Sequence, residues 1–240
     1  MKTRNLRLPL LFVSCLALAC SVQGQLLFHE DFDIDLPEGQ TTLGNLNGWQ
    51  ESWNSKRDSQ AFLPEYNMHW ESPFPPRGRA VQISGTREGA FRELPEALNG
   101  QTVYFSFLFR FFQKEGGVGQ LRIRSDQGHI LGAGFQNGAF VLRAQSEEVT
   151  WGSVRDRENY MVIGKIIFNE DGSDVRIFAN AYTTRASIPL ETPEEWSGEV
   201  GHEGRPRRWN GVECFVASQN VAFDDLRIGR TWRDVAGTRR

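Results

Sequence analysis

The sequence predicts an all-β protein built as an antiparallel sandwich. Short apolar runs recur along the chain with turn residues between them, and no helices alternate with these runs. The strongest run, Gln101 to Phe112, places Phe105, Phe107, Phe109 and Phe111 on one face by the two-residue period of a strand. A solvent-facing row of four phenylalanines would promote aggregation, so this face is predicted to lie in the core.

Residues 1–24 are predicted to be a signal peptide and not part of the fold. Lys2, Arg4 and Arg7 precede an apolar run that ends at Cys20 and is too short to span a membrane, which takes about 20 residues. No later stretch approaches that length, so no transmembrane segment is expected.

Cleavage after Gly24 leaves one domain, residues 25–240, in a protein exported to the periplasm, the cell surface or the medium. The segment Leu16–Cys20 also resembles a lipoprotein processing site, so lipidation of Cys20 is the less favoured alternative.

Composition excludes some functions. All 30 acidic residues follow the signal, which holds three of the 27 basic ones, so the mature chain carries a net charge of −6. An acidic surface argues against nucleic acid, and the basic cluster Arg205–Arg208 is interpreted as a solvated loop. Cys214 is the one cysteine after the signal; lying in an apolar strand, it is predicted to be a small core residue.

The strands can be followed in chain order. The first run, Leu26 to Phe32, and the last, Val221 to Ile228, are predicted to lie side by side and close the fold. Residues 33–79 are rich in Pro, Gly, Asn and Trp and are interpreted as a packed excursion or a binding loop. With Gln101 to Phe112, the remaining runs bring the total to ten or eleven strands: 80–84, 89–93, 121–124, 129–136, 140–144, 160–168, 174–180 and 212–217.

Turn chemistry supports two hairpins. Asn137-Gly138 is the pair that two-residue hairpins prefer, because both central residues need positive φ, and Asn169–Gly172 separates the next two runs. Residues 182–210 are dominated by Pro, Glu, Gly and Arg and are predicted to be irregular, with at most one helical turn near Pro193–Trp196.

Several motifs resemble the landmarks of a known superfamily. They are Glu30–Asp33, Gly48-Trp49 with Trp53, Val103–Leu108, Tyr160–Ile166, and Phe223–Gly229 with Trp232 and Val235. Together they are similar to the concanavalin A-like, laminin-G-like jelly-roll domains of secreted bacterial proteins. The resemblance implies two antiparallel sheets, one of them concave, with glycan binding or glycan cleavage as common uses.

One metal site is suggested. By alternation, Asp224 shares a face with Leu226 and Ile228, and a buried carboxylate needs a cation or hydrogen-bond donors. The resemblance implies a structural Ca²⁺ held by Asp224 together with the surroundings of Glu30 or Asp31. The alternative is a hydrogen bond from backbone or from Trp232 to Asp224.

Glycan binding would use exposed aromatic side chains, on which sugar rings stack. The candidates are Tyr66 and Trp70 in the long early segment and Trp151 between strands. Trp49 and Trp53 are expected to fill the core, as the resemblance implies.

The sequence shows no recognisable set of catalytic residues. Retaining glycosidases need two carboxylates about 5 Å apart on one face, and the sole alternating run, Asp31–Asp35, lies at the end of the first strand and is broken by Leu36–Gly39. We therefore expect a secreted, non-catalytic module that binds a polysaccharide or a cell-surface glycan. A carbohydrate-active enzyme, glycosidase or polysaccharide lyase, and a purely structural envelope protein are the alternatives.

Overall fold

The protein is an antiparallel β-sandwich, as the sequence predicts. A computed structural model describes residues 26–30, 32, 54–55, 60–62, 68, 80–85, 88–112 and 116–237. These residues form fifteen strands and one short helix. The strands are β1 Leu26–Glu30, β2 Asn54–Ser55, β3 Gln60–Phe62, β4 Val81–Gly85, β5 Glu88–Glu93, β6 Thr102–Phe111, β7 Val118–Ser125, β8 Ile130–Gln136, β9 Ala139–Ala144, β10 Glu147–Trp151, β11 Tyr160–Phe168, β12 Asp174–Tyr182, β13 Gly198–Glu203, β14 Trp209–Ala217 and β15 Gln219–Gly229, and the helix is α1 Trp232–Ala236.

Two antiparallel sheets make up the sandwich. The first has the order β13-β12-β11-β6-β15-β4-β3, with β1 also paired to β15, and the second has the order β10-β9-β8-β7-β14-β5-β2. Because sequential strands often sit in different sheets, the chain crosses repeatedly between the layers, and both sheets share one core.

The aromatic face of β6 fills that core, which confirms the prediction from its alternation. Phe105, Phe107, Phe109 and Phe111 are each at most 2% exposed. Phe109 alone packs its ring within 5.5 Å to 6.3 Å, centroid to centroid, of four other aromatic rings, from three further strands and from β6 itself. Cys214 also lies in this core, as predicted, and burial raises the pKa of its thiol well above the ordinary value.

The last strand lies beside the first, which confirms the predicted closure. One edge of β15 pairs with β4 over Gln219–Phe223 and then with β1 over Leu226–Gly229, while its other edge pairs with β6. The first and last strands are therefore held together within the first sheet.

The outer face of the first sheet carries a second, smaller apolar cluster under α1. Trp232 and Val235 are buried there, Ser106 Oγ donates to the Val235 carbonyl at 3.0 Å, and Trp232 Nε1 donates to the Pro189 carbonyl at 3.0 Å. The first sheet is thus covered by apolar side chains on both faces. The outer face of the second sheet, in contrast, carries charged side chains at its centre.

The predicted turns are confirmed, and the prediction that residues 182–210 are irregular is partly wrong. Asn137 and Gly138 have φ of 50° and 81°, as the hairpin between β8 and β9 requires. Within residues 182–210, however, β13 forms at the edge of the first sheet, and the helical turn is a 3₁₀ turn at Arg185–Ser187. The sequence of β13, Gly-Glu-Val-Gly-His-Glu, lacks apolar alternation because an edge strand is half solvated.

The basic cluster is likewise not wholly solvated. Arg207 is 6% exposed, with its guanidinium carbon 5.7 Å from the ring centroid of Trp209, and burial lowers its pKa. Among the described residues, no helix is long and apolar enough to cross a membrane.

Candidate functional site

Three of the six residues predicted to bind ligands, Tyr66, Trp70 and Asp31, lie outside the described residues. Trp151 ends β10 and lies opposite Phe140 of β9, with the two rings stacked at 5.5 Å. A side chain at Gly198 would touch its ring, so one side of the indole packs against the edge of the first sheet. Its predicted role in sugar binding is untested and stays a prediction.

Asp224 faces the other way from the prediction. Phe223 and Leu226 both lie in the central core, which strict alternation forbids for residues three apart. The chain accommodates both through a β-bulge: the register of β15 against β6 shifts between Asp224 and Arg227, and Asp225 has φ of 44°. Asp224 therefore shares its face with its cross-strand partner Leu108, outside the core, and its Oδ1 accepts the backbone N–H of Asp225 at 2.7 Å.

The neighbouring carboxylates have protein partners. Asp225 accepts hydrogen bonds from His29 Nε2 at 3.2 Å and from Arg227, whose closer nitrogen lies at 2.7 Å. Burial alone would raise the pKa of Asp225, but these contacts outweigh it and lower the pKa. Glu30 pairs instead with Arg92 of the second sheet at 2.7 Å.

Glu30 and Asp224 thus lie on opposite faces of the first sheet. No cluster of three His, Cys, Asp or Glu side chains suited to a metal occurs within the described part of the chain. The Ca²⁺ site remains a prediction that depends on Asp31.

A row of side chains crosses the outer face of the second sheet at right angles to its strands. Strand register aligns its six members, one from each of six neighbouring strands: Phe91, Glu213, Arg122, Gly132, Arg143 and Glu148. We call this set the transverse row. The adjacent row on the same face contains Gly89, Phe215, Gln120, Gly134, Val141 and Thr150.

One half of the transverse row is a buried charge cluster. Glu213 is 8% exposed and accepts from Arg124 at 3.1 Å, with Arg122 at 3.7 Å from its second oxygen. Arg122 is 9% exposed, and its guanidinium carbon lies 3.3 Å from the ring centroid of Phe215. This stacking and the ion pair fix the direction of Arg122.

The other half is an ion pair at the sheet edge. Arg143 donates to Glu148 at 2.6 Å, and Gln136 donates to the second oxygen of Glu148 at 3.3 Å. The two halves are separated by Gly132, which has no side chain, so the row has a gap between Arg122 and Arg143, which we call the slot.

The side chain of Gln120, which is fully buried, leans into this slot. A Cβ built on Gly132 would lie 3.1 Å from Gln120 Oε1, and that oxygen accepts from Arg122 Nε at 3.0 Å. Two buried donors beside the slot, Gln120 Nε2 and Arg143 Nε, have no hydrogen-bond acceptor among the described residues. An unsatisfied buried donor costs about 1–3 kcal/mol, so two of them at one place favour a ligand that supplies acceptors.

Stability does not account for this arrangement. A buried ion pair is weak support for a fold, because desolvation offsets most of the attraction and well-packed apolar residues of similar volume often do as well. The position of Glu213 and its arginines is therefore not explained by stability alone.

The spacing of the row's carboxylates does not suit glycoside hydrolysis. Glu213 and Glu148 are four strands apart, which at about 4.8 Å per strand separates their backbones by about 19 Å. Retaining and inverting glycosidases hold their two carboxyl groups about 5–10 Å apart. What the transverse row offers is hydrogen-bond donors and acceptors in a line across six strands.

Two open grooves lie away from the transverse row. One of about 460 Å³ borders α1 and is lined by Tyr104, Leu190 and Trp232 among others, and Leu190 is 59% exposed. The other, of about 600 Å³, is lined mainly by polar residues of β12 and β13, including His202. Burial, with Arg207 and His129 nearby, lowers the pKa of His202, so its imidazole is mainly neutral at pH 7.

The sequence alone does not mark out the transverse row. Gln120, Arg122 and Arg124 alternate with apolar residues and look like the solvated face of an ordinary strand. A signal was present in the next strand, where Gly132 and Gly134 occupy the same face two residues apart and leave it without side chains.

No protein-family model matches the sequence, and the search of curated proteins returned no match. Among solved structures, the chain is similar to domain 4 of AbnA, a GH43 extracellular arabinanase from Geobacillus stearothermophilus in complex with arabinotriose, with 11% identity, a TM-score of 0.49 and coverage of 87% of this chain and 93% of that one. It is also similar to the CBM22-1 xylan-binding domain of Paenibacillus barcinonensis Xyn10C, with 8% identity, a TM-score of 0.35 and coverage of 85% and 94%.

Botulinum neurotoxin type C, whose cell entry depends on interaction with two ganglioside molecules, is a third similar structure, with 11% identity and a TM-score of 0.43. The match covers 75% of this chain, which spans 43% of the toxin chain. Similarity at these levels does not identify a function.

Proposed function

We propose that the protein is an exported, non-catalytic β-sandwich module that binds a glycan on the outer face of its second sheet. A relationship to concanavalin A-like jelly-roll domains is part of this proposal. The transverse row is the binding surface, and Tyr66 and Trp70 remain the aromatic residues predicted to stack on sugar rings.

The observation that carries the proposal is the pair of buried donors, Gln120 Nε2 and Arg143 Nε, beside the Gly132 slot. Each lacks an acceptor among the described residues. Glycans present rows of oxygen atoms at spacings of a few ångströms, and amide and guanidinium groups are suited to bind them. Six strands contribute side chains to the row, so it is long enough to contact several sugar units.

The test is a glycan array with the mature protein, residues 25–240, and two valine variants. Gly132→Val fills the slot, because even its first carbon would crowd Gln120. Gly201→Val is the matched control, since Gly201 is exposed on β13 of the first sheet and a Cβ there would meet its nearest neighbours at 3.5 Å. Both variants are checked for native circular dichroism before binding is compared.

We expect the wild type and Gly201→Val to bind the same glycans and Gly132→Val to bind them at least about 10-fold more weakly, the effect of losing one or two hydrogen bonds to charged or buried groups. Equal binding by both variants would place the site elsewhere. Absence of binding to every glycan would refute the proposal and favour a structural role. Release of reducing sugar from a bound glycan would favour the enzyme.

A further inference from the structure

In and beside the transverse row, the buried hydrogen-bonding atoms that lack a partner within the described chain are donors and not acceptors. The side-chain oxygens of the row and of Gln120 already have partners. The carboxylate of Glu213 is paired with Arg122 and Arg124, and that of Glu148 with Arg143 and Gln136. Gln120 Oε1 accepts a hydrogen bond from Arg122. The two atoms without a partner among the described residues, Gln120 Nε2 and Arg143 Nε, are both donors.

This imbalance selects between kinds of ligand. A sugar hydroxyl accepts a hydrogen bond and also has a proton to donate, for which the slot offers no unused acceptor. A carboxylate or sulfate group accepts only, and its hydrogen bonds from guanidinium are about twice as strong as neutral ones.

The local charge points the same way. Arg122 and Arg143 flank Gly132 in the transverse row, whereas Glu213 and Glu148 each lie one strand further out. Over the whole described face the charges balance, because Glu93 brings the number of glutamates to three, the number of arginines. Guanidinium is therefore the charge nearest to Gly132, where the row has a gap against which the Gln120 side chain lies. The low exposure of Arg122 and Gln120 strengthens any contact with an anionic group there, because water screens it less.

We propose that the ligand is an anionic glycan, with a carboxylate or sulfate group seated over Gly132 between Gln120 and Arg143. This inference rests on the proposed function and narrows it from glycans in general to acidic ones. Gln120 and Arg143 are the residues that determine specificity, and Arg122 positions Gln120 by donating to its amide oxygen.

The experiment compares polymers that share a backbone and differ mainly in charge. Binding of the mature protein to polygalacturonate and to fully methyl-esterified polygalacturonate is measured by calorimetry at physiological salt. Dextran sulfate and dextran form the second pair and separate sulfate from carboxylate. Arg143→Gln removes the charge, and Arg176→Gln is the matched control, because Arg176 forms a similar cross-strand ion pair with Glu199 on the first sheet.

We expect at least one anionic polymer to bind about 10- to 100-fold more tightly than its neutral partner, the effect of one charge-assisted hydrogen bond. Arg143→Gln should remove most of that preference, and Arg176→Gln should keep it. Equal affinity within both pairs, or equal effects of the two variants, would overturn the inference. Binding of neutral glycans alone would overturn it and leave the proposed function intact, whereas absence of binding to any glycan would refute both.

Discussion

Replacing Asp225 with asparagine tests how the two ends of the domain are held together. Asp225 lies at the bulge of β15 and receives hydrogen bonds from His29 of β1 and from Arg227. An asparagine at this position would keep the shape of the side chain and tolerate the φ of 44°, since asparagine is among the residues enriched in that region. The substitution therefore removes charge and little else.

The expected cost follows from burial. The side chains of Asp225 and Arg227 are 12% and 10% exposed, so neutralising the aspartate removes a counter-ion from a buried guanidinium. Removing one partner of such a pair costs about 3–5 kcal/mol, and the remaining amide hydrogen bond favours the lower end. At about 3 kcal/mol, a domain of this size should melt roughly 6–12 °C lower.

The assay is urea and thermal unfolding of the wild type, Asp225→Asn and Asp156→Asn. Asp156 is the control because its ion pair with Arg157 is exposed and should contribute at most about 1 kcal/mol. Since the pKa of Asp225 is lowered below 3.8, its stabilising contribution is present above about pH 4 and is lost as the pH falls through the folded-state value. The difference between wild type and Asp225→Asn should shrink accordingly in acid. If the two variants have equal stability at pH 7, the reasoning is wrong.

Three further predictions concern the core and the metal. Gly164→Ala should cost at least about 3 kcal/mol in urea unfolding, because its methyl group would overlap the Phe178 carbonyl and the Phe105 ring. Gly138→Ala is the control: its methyl group would point into open space, so the substitution should cost about 1 kcal/mol from the φ of 81° alone, and similar costs for the two variants would contradict the prediction. Cys214 should resist a thiol reagent at pH 8 until urea unfolds the chain, since its thiol is buried and its pKa is raised, and labelling of the native protein would contradict the burial. If a structural Ca²⁺ is present, EDTA should lower the melting temperature relative to added calcium, and identical temperatures would refute the metal.

The local pattern of the sequence was sufficient to predict the core. Alternation in Gln101 to Phe112 depends on one strand alone, so the inward direction of its four phenylalanines could be read without knowing the neighbours. The turn at Asn137-Gly138 is equally local, because its backbone angles follow from the two residues themselves.

Prediction failed where tertiary structure overrides a local period. The bulge at Asp225 inserts one residue into β15 and turns Asp224 away from Leu226, and nothing in the run Phe223–Ile228 announces it. Arg207 looked solvated among its charged neighbours, yet the fold buries it and pairs its backbone with Asp171 and Asn99, which are far away in the sequence. Both errors came from treating a residue's surroundings as its neighbours in the chain.

The transverse row shows the same limit in the candidate site. Arg122, Gly132 and Arg143 come from successive hairpins, but Glu213 and Phe91 are far from them in sequence, so only the register of the strands aligns the whole row. Each member has an ordinary explanation when taken alone: a charged residue on a strand surface, or a glycine in a weak strand. Their alignment is what creates a slot with donors on both sides, so the proposed binding surface depends on strand pairing, which a single sequence does not display.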